Sequence, residues 1–428
     1  MKTGSILAQI AGEIYSGGCT LSKWVYGKPV RVLAAVIFCA CLAVVGEYLG
    51  NVGVLELDRL EDLIGMDRRT IWLATQAPDQ RSDIAIVTIG EDALRDYPYV
   101  SPIPRKILAA LVNEIDSAAP RAIGLDIIIE RRSDGDRDLI GAISSARHPV
   151  VLGGLDDRYA SAASSDVSLF REQLDAQEEF VRASGVPVGH LWLEHKTGAF
   201  NKDDATVRYV GASNKGRPQR ESFSQVLAKS AGYTHQPASG VIAWLLPPKD
   251  QTTPLFAQIS VRRHKSEELD SGGKLLSPAE LDLLKGRIVL VGADMVDRDQ
   301  HKTPLFVRDG RLSPGVMIHA QSIAQIIDGD RDIREMPAWA RLLLLFAMGL
   351  ICLFASSSHH VHTHKEWGVY GVALLGFVLL LLFRLDIPVG PLVFVGLVGI
   401  FVVPFLEFLV GKYTEAAARV RRWGVVGR

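Results

Sequence analysis

Between Cys41 and Cys352 the sequence has no cysteine, so whatever folds there does so without disulfides. Such a region can sit in an oxidising compartment only if its hydrophobic core is sufficient to hold it. A charge imbalance is lacking too: 47 Lys and Arg stand against 48 Asp and Glu over 428 residues. No nucleic-acid motif accompanies that balance, so nucleic acid is not an expected partner. The sequence contains no GxSxG elbow, HExxH pair, Walker loop, or kinase or cyclase signature. The chain is therefore expected not to be an enzyme, and neither catalytic residues nor a cofactor are expected. Internal repeats are also absent.

What the chain does have is four apolar blocks. A mean hydropathy of +0.17 with 22% charged residues is intermediate because the charge is concentrated in the middle. The first block, residues 30–52, supplies roughly 20 apolar residues, which at about 1.5 Å each match a bilayer core of about 30 Å. Lys23, Lys28 and Arg31 lie at its start. It is longer than a signal-peptide core and no small-x-small cleavage site follows, so it reads as a retained anchor. Cys39 and Cys41 within it are small membrane hydrophobes rather than a redox pair. Three further blocks, Ala338–Ala355, Trp367–Phe383 and Val389–Val410, place three more membrane helices in 338–410. Lys365, Lys412, Arg419, Arg421, Arg422 and Arg428 then fall on the same side as the N-terminal lysines, with only Arg384 against. By this rule the segments 1–29 and 411–428 are cytoplasmic and the domain at 53–337 is outside. Glu47 and Glu407 lie near helix ends, leaving no evident path for a transported substrate.

The domain at 53–337 reads as α/β, with a mixed, mostly parallel sheet flanked by helices. Leu57, Leu60, Leu63 and Ile64 recur at helical spacing between Leu55 and Leu73. Ile84–Ile89 is a strand, Ile107, Leu108, Leu111, Val112 and Ile115 form one face of a helix, and Ala122–Ile129 is the next strand. That βαβ order implies a parallel pair. Leu139–Ile143 is a short helix and Pro149–Leu152 a third strand. Residues 156–185, polar and rich in Ala and Ser, read as a surface excursion. Val186–Leu193 and Val207–Val210 suit an antiparallel extension. Phe223–Ala231 is a helix, Val241–Leu246 and Leu255–Val261 are strand candidates, and Pro278–Leu284 is a short helix. From Lys285 the pattern is clearest. Ile288–Val291 is a β-branched run ended by Gly292. After a polar loop and Pro314-Gly315, the residues Met317, Ile318, Ile323, Ile326 and Ile327 form an amphipathic helix that Gly329 is placed to end.

Several ordered motifs here carry a resemblance. IAIVTIGEDAL from Ile84, PRKILAALVNEIDSAAPRAIGLDIII from Pro104, VRYVG from Val207, GRIVLVGA from Gly286, Asp299 four residues before Thr303-Pro304, and PGVMIHAQ from Pro314 together resemble the CHASE type 2 domain, an extracellular sensory domain associated with cyclases and histidine kinases. The resemblance runs from about Asp83 to Gly329. It implies a bacterial inner-membrane receptor with one N-terminal membrane helix, an extracytoplasmic α/β sensor and several closing helices, followed by a cytoplasmic output domain. No such output domain follows in these residues, so the output is expected from a separate cytoplasmic effector.

Candidate site residues follow from chemistry and from the motif. Asp126 interrupts an Ile- and Leu-rich strand, and a buried carboxylate is costly unless paired. It either accepts backbone or arginine hydrogen bonds near the strand end or touches a ligand, the resemblance placing it in the sensor core. Asp294, Asp297, Asp299 and His301 crowd the loop after the Ile288 strand, and open α/β sheets bind ligands at such loops. That spacing fits no cation loop, lacking the central Gly and terminal Glu of an EF-hand, and no metal is expected. Asp299 and Thr303 are expected to cap or brace the loop, a ligand contact being the other reading. His319 reads as a packed or hydrogen-bonded histidine, with pH sensing as the alternative. His359, His360, His362 and His364 read as a solvated loop rather than a metal site.

The expectation is thus a membrane-anchored sensor whose outer domain detects a signal and relays it through the membrane helices. The expected partners are the lipid bilayer, an extracytoplasmic ligand or protein, a cytoplasmic effector, and further copies of the chain. The alternative is a non-signalling scaffold subunit that binds an envelope protein. Neighbouring genes for a kinase, cyclase, protease or ATPase would favour the first.

Overall fold

The computed structural model describes residues 29–52, 70–99, 101–155, 167–195, 206–210, 221–264, 273–295, 299–356 and 385–398, less positions 72, 238, 239, 251, 387–390, 393 and 397. Two compact units are present: Asp67–Lys196 with Asp204–Arg334, and Met1–Met66 with Thr197–Asp203 and Glu335–Arg428.

In the second of these, helix α1 (Pro29–Val52) packs on a late helix, Ala338–Ser356, which is α9 in chain order. Leu42 and Ala43 of α1 and Leu345 and Met348 of α9 are buried in one apolar cluster, which Leu392 and Val395 complete. A Cβ at Gly349 would lie 3.4 Å from Cys39 Cβ, so the two helices approach closely there. Arg341 donates to Glu47 Oε1 at 2.8 Å from Nε. The opposite faces are apolar as well, exposing Ile37, Val44, Val45, Tyr48, Trp339 and Leu343. Cys39 and Cys41 are free thiols, one buried and one exposed. Side chains are described for residues 36–48 of α1 and 338–350 of α9, and among the described residues no helix is long and apolar enough to cross a membrane. The block at 367–383, the histidine loop and residues 399–428 lie outside the described residues, as does most of Leu55–Leu73.

The other unit is an α/β sandwich. Its strands and helices in order are β1 (Thr75–Gln76), β2 (Arg81–Gly90), α2 (Arg105–Ser117), β3 (Ala122–Asp126), α3 (Asp136–Ser145), β4 (Val150–Gly154), α4 (Val167–Ser184), β5 (Val188–His190), β6 (Leu193–His195), β7 (Val207–Val210), α5 (Phe223–Ser230), β8 (Leu245–Leu246), β9 (Phe256–Ser260), α6 (Pro278–Asp282), β10 (Ile288–Asp294), β11 (Gln300–His301), α7 (Phe306–Asp309), β12 (Ser313–Pro314) and α8 (Gly315–Asp328). Six strands form one sheet in the order β5-β4-β3-β10-β2-β9. Every pairing in it is parallel.

The crossovers explain the order. From β2 to β3 to β4 to β5 the chain moves one way, and its helices α2, α3 and α4 share the face built on Leu108, Leu111, Leu139 and Phe180. The return from β5 to β9 passes through α5 on the opposite face, with Phe223 and Leu227. Reversing direction and face together keeps every crossover the same hand, as a twisted parallel sheet requires. Strand β10 then enters between β3 and β2, and α8 covers it through Val316, Ala320, Ile323 and Ala324. Ile84, Ile86, Ile288 and Leu290 are fully buried. Truncating any of them to Ala would cost about 2–5 kcal/mol.

Several expectations are corrected. The Ala122 strand stops at Asp126 rather than Ile129. Gly292 does not end β10, which runs on to Asp294 and pairs Gly292 with Thr88 and Asp126. Val188–His190 joins the main sheet in parallel, while the antiparallel extension is formed by β6 and β7. Much of the presumed excursion is the 18-residue helix α4, with residues 156–166 outside the described set.

Two buried amides on α8 grip an extended segment. Gln321 Oε1 accepts from the Leu245 N–H at 2.9 Å while its Nε2 donates to the Leu245 carbonyl at 3.0 Å. One turn on, Gln325 accepts from Ala243 N–H at 2.8 Å and donates to Val241 O at 3.2 Å. These side chains complete a ladder that a neighbouring strand would otherwise supply.

Candidate functional site

In a parallel sheet the carboxyl ends of all strands lie along one edge, so Asp126 on β3, Asp294 on β10 and His190 on β5 share an edge. Strands β3 and β10 are neighbours, yet β3 leads to α3 on one face and β10 to α8 on the other. Connections that part in this way leave a crevice between them, the usual ligand position in open α/β sheets. Gly292 lets α8 sit close, since a Cβ there would lie 2.6 Å from Val316 Cβ.

Asp126 stands at that crevice. The residue is half-buried, but its Oδ2 is enclosed and has no hydrogen-bond partner among the described residues. Among the described residues no arginine or backbone N–H satisfies that oxygen, so the expected hydrogen bonds are not made at Oδ2. Burial first, and then the Asp299 charge, push the Asp126 carboxyl well above the usual carboxylate range. Both effects favour the protonated form of the group.

Asp299 comes from the loop after β10 and has a left-handed backbone with φ 60°. Its carbonyl accepts from Gly315 N–H at 3.1 Å. Its carboxylate rests where a Cβ on Gly315 would be 2.8 Å from Oδ1. That places negative charge at the start of α8, where the helix dipole favours it and where Pro314 gives no side-chain cap. His301 Nε2 lies 3.1 Å from Asp299 Oδ1. Thr303 is fully buried, and its Oγ1 too is unpartnered among the described residues. The expected cap by Thr303 is therefore not made by its hydroxyl; only its backbone carbonyl works, accepting from Phe306 N–H at 3.0 Å.

His319 is buried in α8, with Nδ1 3.0 Å from Ser224 Oγ and its ring edge-on to Phe223 at 5.3 Å. Burial, then the nearby His190 and His301, lower its pKa to about 3. It stays neutral at any physiological pH, which removes it as a sensor of near-neutral pH. So low a pKa also makes it a weak base towards Ser224, and both groups are closed to solvent.

The electrostatic neighbours thus run from Asp126 to Asp299, on to His301, His319 and His190. Four of the five residues singled out in the sequence meet in one cluster, and Thr303 lies in the same loop. His190 and Ser224 had no motif to mark them; a polar residue closing a short apolar strand was the only signal for the first. Among the described residues no group of three or more His, Cys, Asp or Glu can hold a metal ion. Asp297 lies outside the described residues.

The CHASE2 domain family matches residues 36–354, while no curated protein and no solved structure matches the chain. The chain therefore belongs to the CHASE2 family, a family of extracytoplasmic sensory domains.

Proposed function

We propose that this CHASE2 protein is a membrane-anchored sensor. Residues 30–52 and three spans within 338–410 fix it in a bacterial inner membrane; residues 53–337 face outward, and 1–29 and 411–428 face the cytoplasm. A signal received at the crevice between β3 and β10 is relayed through the membrane helices to a separate cytoplasmic effector. The chain is not itself a catalyst.

The observation that carries this reading is helix α8. It begins beside Asp299 at the crevice and ends at Gly329, after which only the stretch to Pro337 precedes α9. A 14-residue helix spans about 21 Å, so one rigid element connects the ligand edge to the segment that leaves for the membrane. The apolar outward faces of α1 and α9 suit lipid, since a helix apolar all round is a buried or membrane helix. The Glu47–Arg341 pair joins α1 to α9 near the ends that the chain uses to enter and leave the outer domain.

A ligand moves such a receptor only by binding one state better, typically by ~1–3 kcal/mol of coupling. Replacing Gly349→Cys beside the native Cys39 makes a reporter, because the two Cβ positions lie 3.4 Å apart, near disulfide distance. Asp126→Asn or Gly292→Val at the crevice should alter the oxidation yield of that pair in membranes. Unchanged yield in both would sink the relay. For orientation, Glu172→Cys on exposed α4 should react with an impermeant thiol reagent in intact cells; protection there would reverse the topology.

A further inference from the structure

The crevice holds buried oxygens without partners among the described residues. Asp126 Oδ2 and the fully buried Thr303 Oγ1 are both enclosed without a partner among the described residues. Asp299, its carboxylate partly open to solvent, meets His301 through Oδ1. Ser224 Oγ and His319 Nδ1 satisfy one another at 3.0 Å. We propose that the crevice binds its ligand through a protonated amine, with Asp126 and Asp299 as carboxylate partners and the Thr303 hydroxyl as a third oxygen. This assignment rests on the sensor reading above.

An ammonium group carries three donors and no acceptor. It supplies donors to these oxygens, and its positive charge offsets the charge of Asp299 and of the Asp126 carboxylate formed on binding. Calcium takes six to eight oxygen ligands, and among the described residues no group of three or more His, Cys, Asp or Glu is placed to hold a metal ion. An anion would meet the Asp299 charge.

The titratable groups around the site are Asp299 and His301 from the loop, His319 from α8 and His190 from β5. In the empty site, burial beside Asp299 favours a proton on Asp126. The ammonium then takes the place of that proton, leaving an Asp126 carboxylate against the ammonium and one proton in solution. Affinity must therefore rise with pH until Asp126 ionises unaided. His319 is neutral throughout this range and adds nothing to the slope.

The test is calorimetry on the full chain in nanodiscs, with methylammonium and 1,4-diaminobutane as probes, and tetramethylammonium and calcium chloride as controls. The primary amines should bind, releasing protons in proportion to buffer ionisation heat. Asp126→Asn should weaken them by about tenfold or more, and Thr303→Val by less. Tetramethylammonium, charged but without N–H, should not bind. Absence of amine binding, equal binding by a folded Asp126→Asn, or calcium binding instead would overturn the assignment. The Cys39 and Gly349→Cys reporter separates this from the relay. Amine binding with an unmoved reporter would leave the ligand class standing and the relay failed. A reporter moved by Asp126→Asn without amine binding would do the reverse.

Discussion

At the amino ends of the strands, Arg81 on β2 reaches Asp83 and donates to both oxygens of Asp328 at 2.9 Å. Arg331 adds a bond to Asp328 at 2.6 Å and to the Ala243 carbonyl, leaving only Nη2 without a partner among the described residues. His235 and Gln325 share Asp332 close by. At the carboxyl ends of the same strands, and among the described residues, Asp126 Oδ2 has no partner, Asp299 meets His301, and Thr303 has nothing for its hydroxyl. One edge is a closed network and the other is open. Buried polar groups are normally satisfied within the fold, and the edge that leaves two oxygens unsatisfied is the one at which a ligand is proposed.

The comparison can be broken in four places, from the largest effect to the smallest. Acid should act on the ligand edge through His319. Its folded pKa, about 3, lies below the unfolded value near 6.5. The unfolded chain therefore takes up the proton first, and stability present above pH 6.5 is lost as pH falls towards 3. The loss is about 1.4 kcal/mol per unit, and His319→Gln should flatten that limb of a denaturation series. A slope unchanged by the substitution would show that His319 is not what acid attacks.

Arg81→Ala should cost about 2–3 kcal/mol in chemical denaturation by leaving Asp83 and Asp328 without their main partner, with amine affinity unchanged within about twofold. A comparable loss of amine affinity would mean the two edges are not independent.

Asp126→Asn should have the opposite sign. A carboxyl whose folded pKa is raised gives full stability below the unfolded value near 4 and loses it as pH climbs. The asparagine does not titrate, so the variant should gain on the parent as pH rises. Gain at pH 3 but not at pH 8 would refute the buried-proton account. Smallest of all, Thr303→Val should be neutral or stabilising within about 1 kcal/mol, because the hydroxyl has no bond to lose. A loss above 2 kcal/mol would reveal a partner for it.

Much of this fold was legible because its signals are local. Ile288–Val291 and Ile84–Ile89 are continuous apolar runs, and Gly329, at φ 70°, ends α8 as a left-handed C-cap. Helix α4 escaped because its buried stripe contains Gln177, 1% exposed, whose Oε1 accepts the Leu155 N–H at 2.8 Å. A glutamine in that place makes an amphipathic helix look like a polar loop. For the site, Asp126 was visible as a carboxylate among isoleucines, but its lack of a counterion was not, since that depends on what β10 and α8 bring near it. Glu47 and Arg341 lie 294 positions apart, so no window of sequence could have paired them.

The glutamine ladder on α8 also constrains how that helix can move. Gln321 and Gln325 are four helical residues apart, a rise of about 6 Å. They serve amides two residues apart, at Leu245 and Ala243, but carbonyls four apart, at Leu245 and Val241. The four bonds therefore fit at one register only, as a key fits its lock, and sliding α8 along the strap would break all of them together. A tilt of the helix about the strap costs less, because it can keep them.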